Sequence, residues 1–256
     1  MSHLRTIGLG AITGTVSSVV SLGAGIITVP LLVRALGTDA YGLLGVVSSV
    51  VGFVGMADLG LASTLMNAMS YAKAREDYSA VKGLYSGGLL VYTPLMLALF
   101  GVAALVVYAP WFSLAKLLSI PPALEGAAEL TVLVMLGYTM LNAFLGGVVK
   151  AVYHGMNDVA VYNTIQTAYN VVFALVFIAY LLWGDVTLFG VAFVQGAGAV
   201  VRLVIQHVIA KRRYPWLSFV MSTKSVHAVR PLLQYSAVLF LSTASTIILE
   251  RSDNIV

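Results

Sequence analysis

The stretch Pro30–Leu61 reads PLLVRALGTDAYGLLGVVSSVVGFVGMADLGL, and it decides the fold that the sequence predicts. It joins two long apolar runs through one short polar break, Arg34–Gly42. Asp58 lies well inside the second run, where the hydrocarbon of a bilayer would strongly disfavour an ionised carboxylate. A soluble domain has no use for this pattern, whereas a membrane protein with a polar path through its interior does.

The composition places the chain among integral membrane proteins. Hydrophobic residues make up 60% of it and charged residues only 9%, whereas soluble domains average about 25% charged residues. A net charge of +4 would suggest nucleic acid in a soluble protein, but here the basic residues lie in short loops, so topology explains them and no nucleic-acid partner is expected. The absence of cysteine excludes disulfides and cysteine-ligated metals.

Six apolar runs are long enough to cross a bilayer, which takes about 20 helical residues. A seventh begins near Leu232 and is still running at Val256, which suggests a piece of a longer protein. We therefore predict an all-α polytopic membrane protein with six transmembrane helices and the start of a seventh. The six predicted spans are Ile7–Val33, Tyr41–Asn67, Gly83–Tyr108, Ala127–Val149, Val161–Trp183 and Val186–Ala210.

The Lys and Arg residues predict the orientation. Ten of them fall on one side of the membrane, and two, Arg34 and Lys116, fall on the other. Because positive residues collect on the cytoplasmic side, we predict a multi-pass protein of the cell inner (plasma) membrane with a cytoplasmic N-terminus. The ten are Arg5, Lys73, Arg75, Lys82, Lys150, Lys211, Arg212, Arg213, Lys224 and Arg230.

Small residues occupy one face of the first span. They allow helices to approach closely in lipid, and their hydroxyls can also line a wet cavity. We interpret this face as a packing surface and keep cavity lining as the alternative. Its members are Gly10, Gly14, Ser17, Ser18, Ser21, Gly25 and Thr28.

Polar side chains mark one face of each of the last two complete spans. Two such helices can bond each other across their interface, or they can line a hydrophilic cavity open to the cytoplasm. Arg202 lies about 13 Å of helix rise from Lys211, too deep to reach the interface easily, and this depth favours a cavity-facing role. The residues are Asn163, Gln166 and Asn170 on the fifth span and Gln195, Arg202 and Gln206 on the sixth.

Several short motifs resemble those of one transporter family. RALGTDAYG at Arg34–Gly42, followed by DLGL at Asp58–Leu61, resembles the start of polysaccharide flippases of the O-antigen transporter type. That family belongs to the multidrug/oligosaccharidyl-lipid/polysaccharide exporter superfamily. KRRYP at Lys211–Pro215 and Asp253 in the seventh span fit the same pattern. The resemblance extends over essentially the whole chain at the level of spans and loops.

The resemblance implies a bundle of two lobes, with residues 1–231 forming the N-terminal six-helix lobe and residues 232–256 beginning the second. It implies that a polyprenyl-diphosphate-linked oligosaccharide crosses the bilayer by alternating access, with other glycan-assembly membrane proteins as candidate partners. The arginine cluster that related lipid II flippases carry in their first span is absent here, which argues against lipid II. The nearest matches to cavity or gate positions are Arg34, Asp58, Asn67, Glu250, Arg251 and Asp253.

Roles for these residues follow from the chemistry of such a substrate. Sugars and a diphosphate need a wet, hydrogen-bonding groove, while the polyprenyl tail can stay in lipid. Arg202 or Arg251 would meet the diphosphate. Asp58 is the candidate site of a coupling proton or sodium ion, because a buried carboxylate favours protonation or a nearby cation. No other cofactor and no metal site is expected.

Other functions stay open at this point. Cation-coupled efflux of multidrug or toxic compounds is possible on the same fold, and it predicts a smaller, more apolar cavity with acidic groups. A membrane-embedded glycan polymerase or ligase would need catalytic groups on the external side, yet all four histidines fall on or near the predicted cytoplasmic side. No zinc-protease, nucleophile-elbow or phosphate-loop motif is present, so we predict that the chain is not an enzyme. A purely structural membrane scaffold is the last alternative.

Overall fold

The computed structural model describes residues 3–55, 60–109, 125–222 and 224–232. All regular structure in these ranges is helical. Residues 142–146 form a π-helical turn, and residues 224–232 form a further helical segment. The other helices are α1 (His3–Gly55), α2 (Leu61–Ala74), α3 (Tyr78–Val107), α4 (Glu125–Leu141), α5 (Gly147–Gly155), α6 (Val159–Trp183) and α7 (Leu188–Arg213).

Five helical stretches within the described ranges are long and apolar enough to cross a membrane. The all-helical, multi-pass prediction is therefore confirmed, but the count of six spans plus a seventh is not. The count differs because α1 contains the first predicted span and the start of the second, while the predicted seventh span lies beyond the described residues. The five stretches are Gly8–Ser49, Tyr78–Val107, Glu125–Gly155, Val159–Trp183 and Leu188–Arg213.

The polar break predicted over Arg34–Gly42 is reduced to a single residue in α1. Gly37 alone leaves the helical conformation, with φ 80° and ψ 167°, and the residues on both sides are helical. Glycine tolerates a positive φ because it has no Cβ. The break therefore lies within the predicted turn but is narrower than the polar stretch, because one glycine is enough to interrupt the helix.

The second predicted span, Tyr41–Asn67, is not one continuous helix. α1 ends at Gly55, and α2 begins at Leu61 after Gly60, whose φ of 70° and ψ of 12° are left-handed. Counting apolar residues does not reveal this break, because a single glycine can adopt the left-handed conformation that precedes a new helix. Asp58 falls in the interval 56–59, outside the described residues.

α1 packs along α6 through its small residues. A Cβ at Gly10 would lie 3.6 Å from the Val159 side chain, and one at Gly14 would lie 3.3 Å from Asn163 Nδ2. Because the contacts advance along both helices together, α1 and α6 run in the same direction. The structure thus supports the packing interpretation at these two glycines.

Buried apolar residues form two large packed clusters in the described part of the bundle. One contains Val132, Leu136 and Val191, from α4 and α7. The other contains Phe144 of the π-helical turn and Val148 of α5, together with residues of α2 and α3.

Candidate functional site

A polar cavity of about 480 Å³ is lined by residues of α2, α6, α7 and the α4–α5 rod, which consists of α4, the π-helical turn and α5. Lys150 and Arg202 give its wall a positive charge, and no Asp or Glu is among the residues that line it. Apolar and small residues complete the wall. The polar and charged lining residues are Tyr138, Thr139, Asn142, Lys150, Tyr162, Gln166, Arg202 and Gln206.

Arg202 is the less exposed of the two cations that line this cavity. One of its terminal nitrogens donates a hydrogen bond of 2.5 Å to Asn142 Oδ1, and its guanidinium carbon lies 5.8 Å from the centre of the Tyr169 ring. Within the described ranges no carboxylate pairs with it. A half-buried guanidinium that is held by an amide and a ring keeps donors available for an anion.

The π-helical turn sets Asn142 against Arg202. It interrupts the rod formed by α4 and α5, and Asn142 Nδ2 donates to the Tyr138 carbonyl oxygen at 2.8 Å. That bond fixes the amide so that its oxygen faces α7. A π turn changes the register of the side chains that follow it, and such turns occur often at functional sites.

A chain of amide hydrogen bonds connects three helices next to the cavity. Gln206 Nε2 on α7 donates to Gln166 Oε1 on α6 at 3.1 Å. Gln166 Nε2 donates to Asn170 Oδ1 at 3.1 Å, and Asn170 Nδ2 donates to Ser21 Oγ on α1 at 3.0 Å. These side chains therefore bond one another, and Gln166 and Gln206 also line the cavity.

The remaining amides of the two faces hold helices together. Asn163 Nδ2 donates to the Gly10 carbonyl oxygen at 3.1 Å, and Thr13 Oγ1 lies 3.4 Å from the same nitrogen. Gln195 Oε1 accepts a hydrogen bond of 2.9 Å from the hydroxyl of Tyr138. Asn163 thus ties α6 to α1, whereas Gln195 supports a tyrosine that lines the cavity.

The other predicted site residues do not join this cavity in the described structure. Arg34 on α1 and Asn67 on α2 are exposed, and neither lines the cavity. The rest lie outside the described residues, and they are Asp58, Glu250, Arg251 and Asp253.

Sequence reasoning left out several residues that the structure places at the cavity. Asn142 stands out in the sequence as an amide in an apolar run, but nothing in the sequence pairs it with Arg202. In the sequence, Lys150 contributes only to the prediction of orientation, and Tyr138 is one tyrosine among others in an apolar run. Their proximity depends on how α4 and α5 pack against α7.

Residues 7–256 match a family described as polysaccharide biosynthesis protein. The chain belongs to this family. The uncharacterized membrane protein EpsK of Bacillus subtilis (strain 168) is 23% identical to it over 212 residues, which cover 81% of this chain and 40% of the relative.

The fold of this polysaccharide biosynthesis protein is similar to that of a solved transporter. The similar structure is the outward-facing conformation of a multidrug resistance MATE family transporter of the MOP superfamily, with a TM-score of 0.72 at 14% identity. The match covers 95% of this chain and 54% of the transporter. The chain therefore has a multi-pass transporter fold and spans about half the length, or less, of these two proteins.

At one end of the bundle, hydrogen bonds join the ends of several helices in this family member. Arg213 forms two hydrogen bonds with the Asp158 carboxylate, of 2.7 and 3.0 Å, and the Tyr214 hydroxyl donates to the same carboxylate. Lys73 Nζ donates to the Met156 carbonyl oxygen at 2.5 Å. These bonds connect the end of α2, the α5–α6 turn and the end of α7. This is the basic end of the protein, because the last turns of α2 and α7 contain Lys73 and Lys211–Arg213.

The surroundings of Asp158 stabilise its ionised form. Burial by itself would raise the pKa of Asp158, but hydrogen bonds from Arg213 and Tyr214, with the charges of Arg213 and Lys73, hold that pKa below its usual value. A carboxyl group with a lowered folded-state pKa stabilises the fold above its ordinary pKa of about 4. The stabilisation is lost as the pH falls through the lowered value.

We expect Asp158→Asn to lower the free energy of unfolding at neutral pH by about 1 kcal/mol, a modest loss because Arg213 is half exposed. Thermal unfolding in detergent between pH 3 and pH 7 measures it. The difference from the parent protein should shrink as the pH falls through the lowered pKa. Glu76→Gln, which removes an exposed carboxylate in the α2–α3 turn, should not reproduce this pattern. A variant difference that stays constant over the whole pH range would contradict the assignment.

Proposed function

We propose that the chain is the N-terminal part, residues 1–231 forming one lobe, of an exporter that moves a lipid-linked oligosaccharide across the cytoplasmic membrane by alternating access. The observation that carries the proposal is the cavity wall, which combines Arg202 and Lys150 with amides and tyrosine hydroxyls. Such a lining suits a diphosphate and sugar hydroxyls. Membership of the polysaccharide biosynthesis family supports the same substrate class.

The physical task explains why these groups are needed. A sugar chain and a diphosphate are both costly to remove from water unless hydrogen bonds replace their hydration. Arg202 supplies charge-assisted donors for the phosphate oxygens, and Gln166 and Gln206 supply amide groups for hydroxyls. The polyprenyl tail stays in the lipid. Rocking of two lobes about a central site then exposes the polar groups to one side of the membrane at a time.

Efflux of cationic drugs is the second candidate, because the solved transporter with the similar fold is a multidrug resistance protein. A cation would need carboxylates in its binding site. The residues lining the described cavity include two cations and no carboxylate, which favours an anionic substrate. Asp58, Glu250 and Asp253 remain proposed sites for a coupling proton or sodium ion, and Arg251 remains a proposed diphosphate contact.

The experiment that tests the proposal is a transport assay on the full-length protein in liposomes. We expect labelled polyprenyl-diphosphate oligosaccharide to appear in the opposite leaflet at a rate well above that of empty liposomes. The same vesicles should not accumulate ethidium, a cationic drug, in a proton or sodium gradient. Ethidium transport without movement of the glycan lipid would replace the proposal with the efflux function.

The proposed orientation places the basic end in the cytoplasm. The chain contains no cysteine, so single-cysteine variants give a direct test. Arg75 lies at the end of α2 and Asp185 in the α6–α7 loop, and both are exposed. In intact cells an impermeant maleimide should label Asp185→Cys and spare Arg75→Cys until the cells are opened. The reverse labelling pattern would invert the topology.

A further inference from the structure

Two adjoining cavities form a groove between α3 and α7, on residues that the polar cavity does not use. Their volumes are about 520 and 260 Å³. Leu89, Leu145 and His207 line both of them, so the two cavities lie side by side and share part of their walls. No residue of this groove lines the polar cavity around Arg202.

One end of the groove is polar and basic. Lys211 lies in the last turn of α7, and His207 lies one turn earlier. The Tyr85 hydroxyl lies 3.3 Å from each ring nitrogen of His207, and Tyr85 itself is only 1% exposed. The buried tyrosine therefore fixes the position of the imidazole next to the lysine. No Asp or Glu is among the residues lining either cavity.

The other end of the groove is apolar and reaches the surface of the bundle. Leu203, Val204 and Val208 of α7 line it opposite Leu89. Val204 and Val208 are 54% and 42% exposed, which places them where acyl chains contact a membrane protein. A chain of methylene groups can lie along this wall without any polar group being buried.

We infer that this groove binds one anionic glycerophospholipid. Its phosphate meets Lys211 and His207, and an acyl chain follows the wall formed by Leu89 and Val204. The occupant is amphipathic because the groove is, with the Lys211 ammonium and the His207 imidazole at one end and hydrocarbon side chains at the other. The occupant is anionic because no Asp or Glu lines the groove to neutralise the charge of Lys211. Basic pockets between membrane helices are suited to such headgroups.

The test is native mass spectrometry of the full chain in detergent, titrated with phosphatidylglycerol or phosphatidylcholine. We expect one phosphatidylglycerol to bind more tightly than phosphatidylcholine. Lys211→Gln should weaken phosphatidylglycerol binding about five-fold, the loss expected for one cation near a membrane surface. Arg212→Gln removes the same charge from the next residue, which lines neither cavity, and should leave the affinity unchanged.

A second pair of variants tests the apolar end. Val204→Trp fills the groove from an exposed position, and we expect it to reduce binding of both lipids. Val172→Trp on α6 is the control, because Val172 is also exposed, at 60%, and lies outside this groove. Equal affinity for the two headgroups, or equal effects of the Lys211 and Arg212 changes, would overturn the inference. So would displacement of phosphatidylglycerol by a polyprenyl phosphate with the same dependence on Lys211, which would assign the groove to that lipid.

Discussion

On the proposed function, we expect replacing Arg202 with Gln to lower transport of the lipid-linked oligosaccharide about thirty-fold, the rate change that corresponds to about 2 kcal/mol for a hydrogen bond to a charged group. The expected loss is large because Arg202 is the half-buried cation of the cavity wall, is bound to Asn142 and has no carboxylate partner in the described structure. A diphosphate that enters would therefore lose its strongest contact. Initial rates in liposomes that hold equal amounts of folded protein give the measurement.

Arg212→Gln is the matched control for this change. It removes the same charge from the same helix, at an exposed position that does not line the cavity. We expect its transport rate to stay within two-fold of that of the parent protein. Arg202→Lys keeps the charge but loses the planar fork, so it should recover part of the activity. If the Arg202→Gln rate matched the control, Arg202 would have no role in substrate binding.

We expect replacement of Gly87 with Ala to destabilise the protein by about 3 kcal/mol, because overpacking against backbone cannot be relieved by a side-chain rotation. A Cβ at Gly87 would overlap the carbonyl oxygen of Ser225 and lie 2.7 Å from Val229 Cγ2. The helical segment 224–232 would then have to move away from α3. Thermal unfolding in detergent measures the loss, and limited proteolysis shows whether this segment separates first.

Gly83→Ala is the matched control for the packing change. Gly83 lies one turn earlier on α3, and no atom stands within 4 Å of a Cβ placed there. Alanine also favours a helix over glycine by up to about 1 kcal/mol. We therefore expect this variant to be as stable as the parent protein or slightly more stable. Equal losses at Gly83 and Gly87 would show that the close contact with Ser225 is not the cause.

The membrane character of the chain could be predicted from sequence because it depends on summed quantities. Hydrophobic content and the length of apolar runs do not depend on which helices are neighbours. The breaks at Gly37 and Gly60 were harder to predict. Both are single glycines in a chain with 24 of them, and the sequence does not show which of these adopt a positive φ.

The polar faces of α6 and α7 were visible in sequence as residues at helical spacing. The sequence left open whether these side chains bond each other or line a cavity. The structure shows Gln166 and Gln206 doing both, since their amides pair at 3.1 Å at the edge of the cavity. Spacing along one helix places residues on a face, but the partner of that face is set by a helix elsewhere in the chain.

The sequence by itself determined that this is a helical membrane protein, through its apolar runs and the scarcity of charge between them. The unequal distribution of Lys and Arg between the two sides also predicted the orientation that we propose. Only the tertiary structure decided that Asn142 meets Arg202, 60 residues away. The physical reason is that hydrophobicity adds up residue by residue along the chain, whereas a binding site requires side chains from separate helices to converge within hydrogen-bond distance.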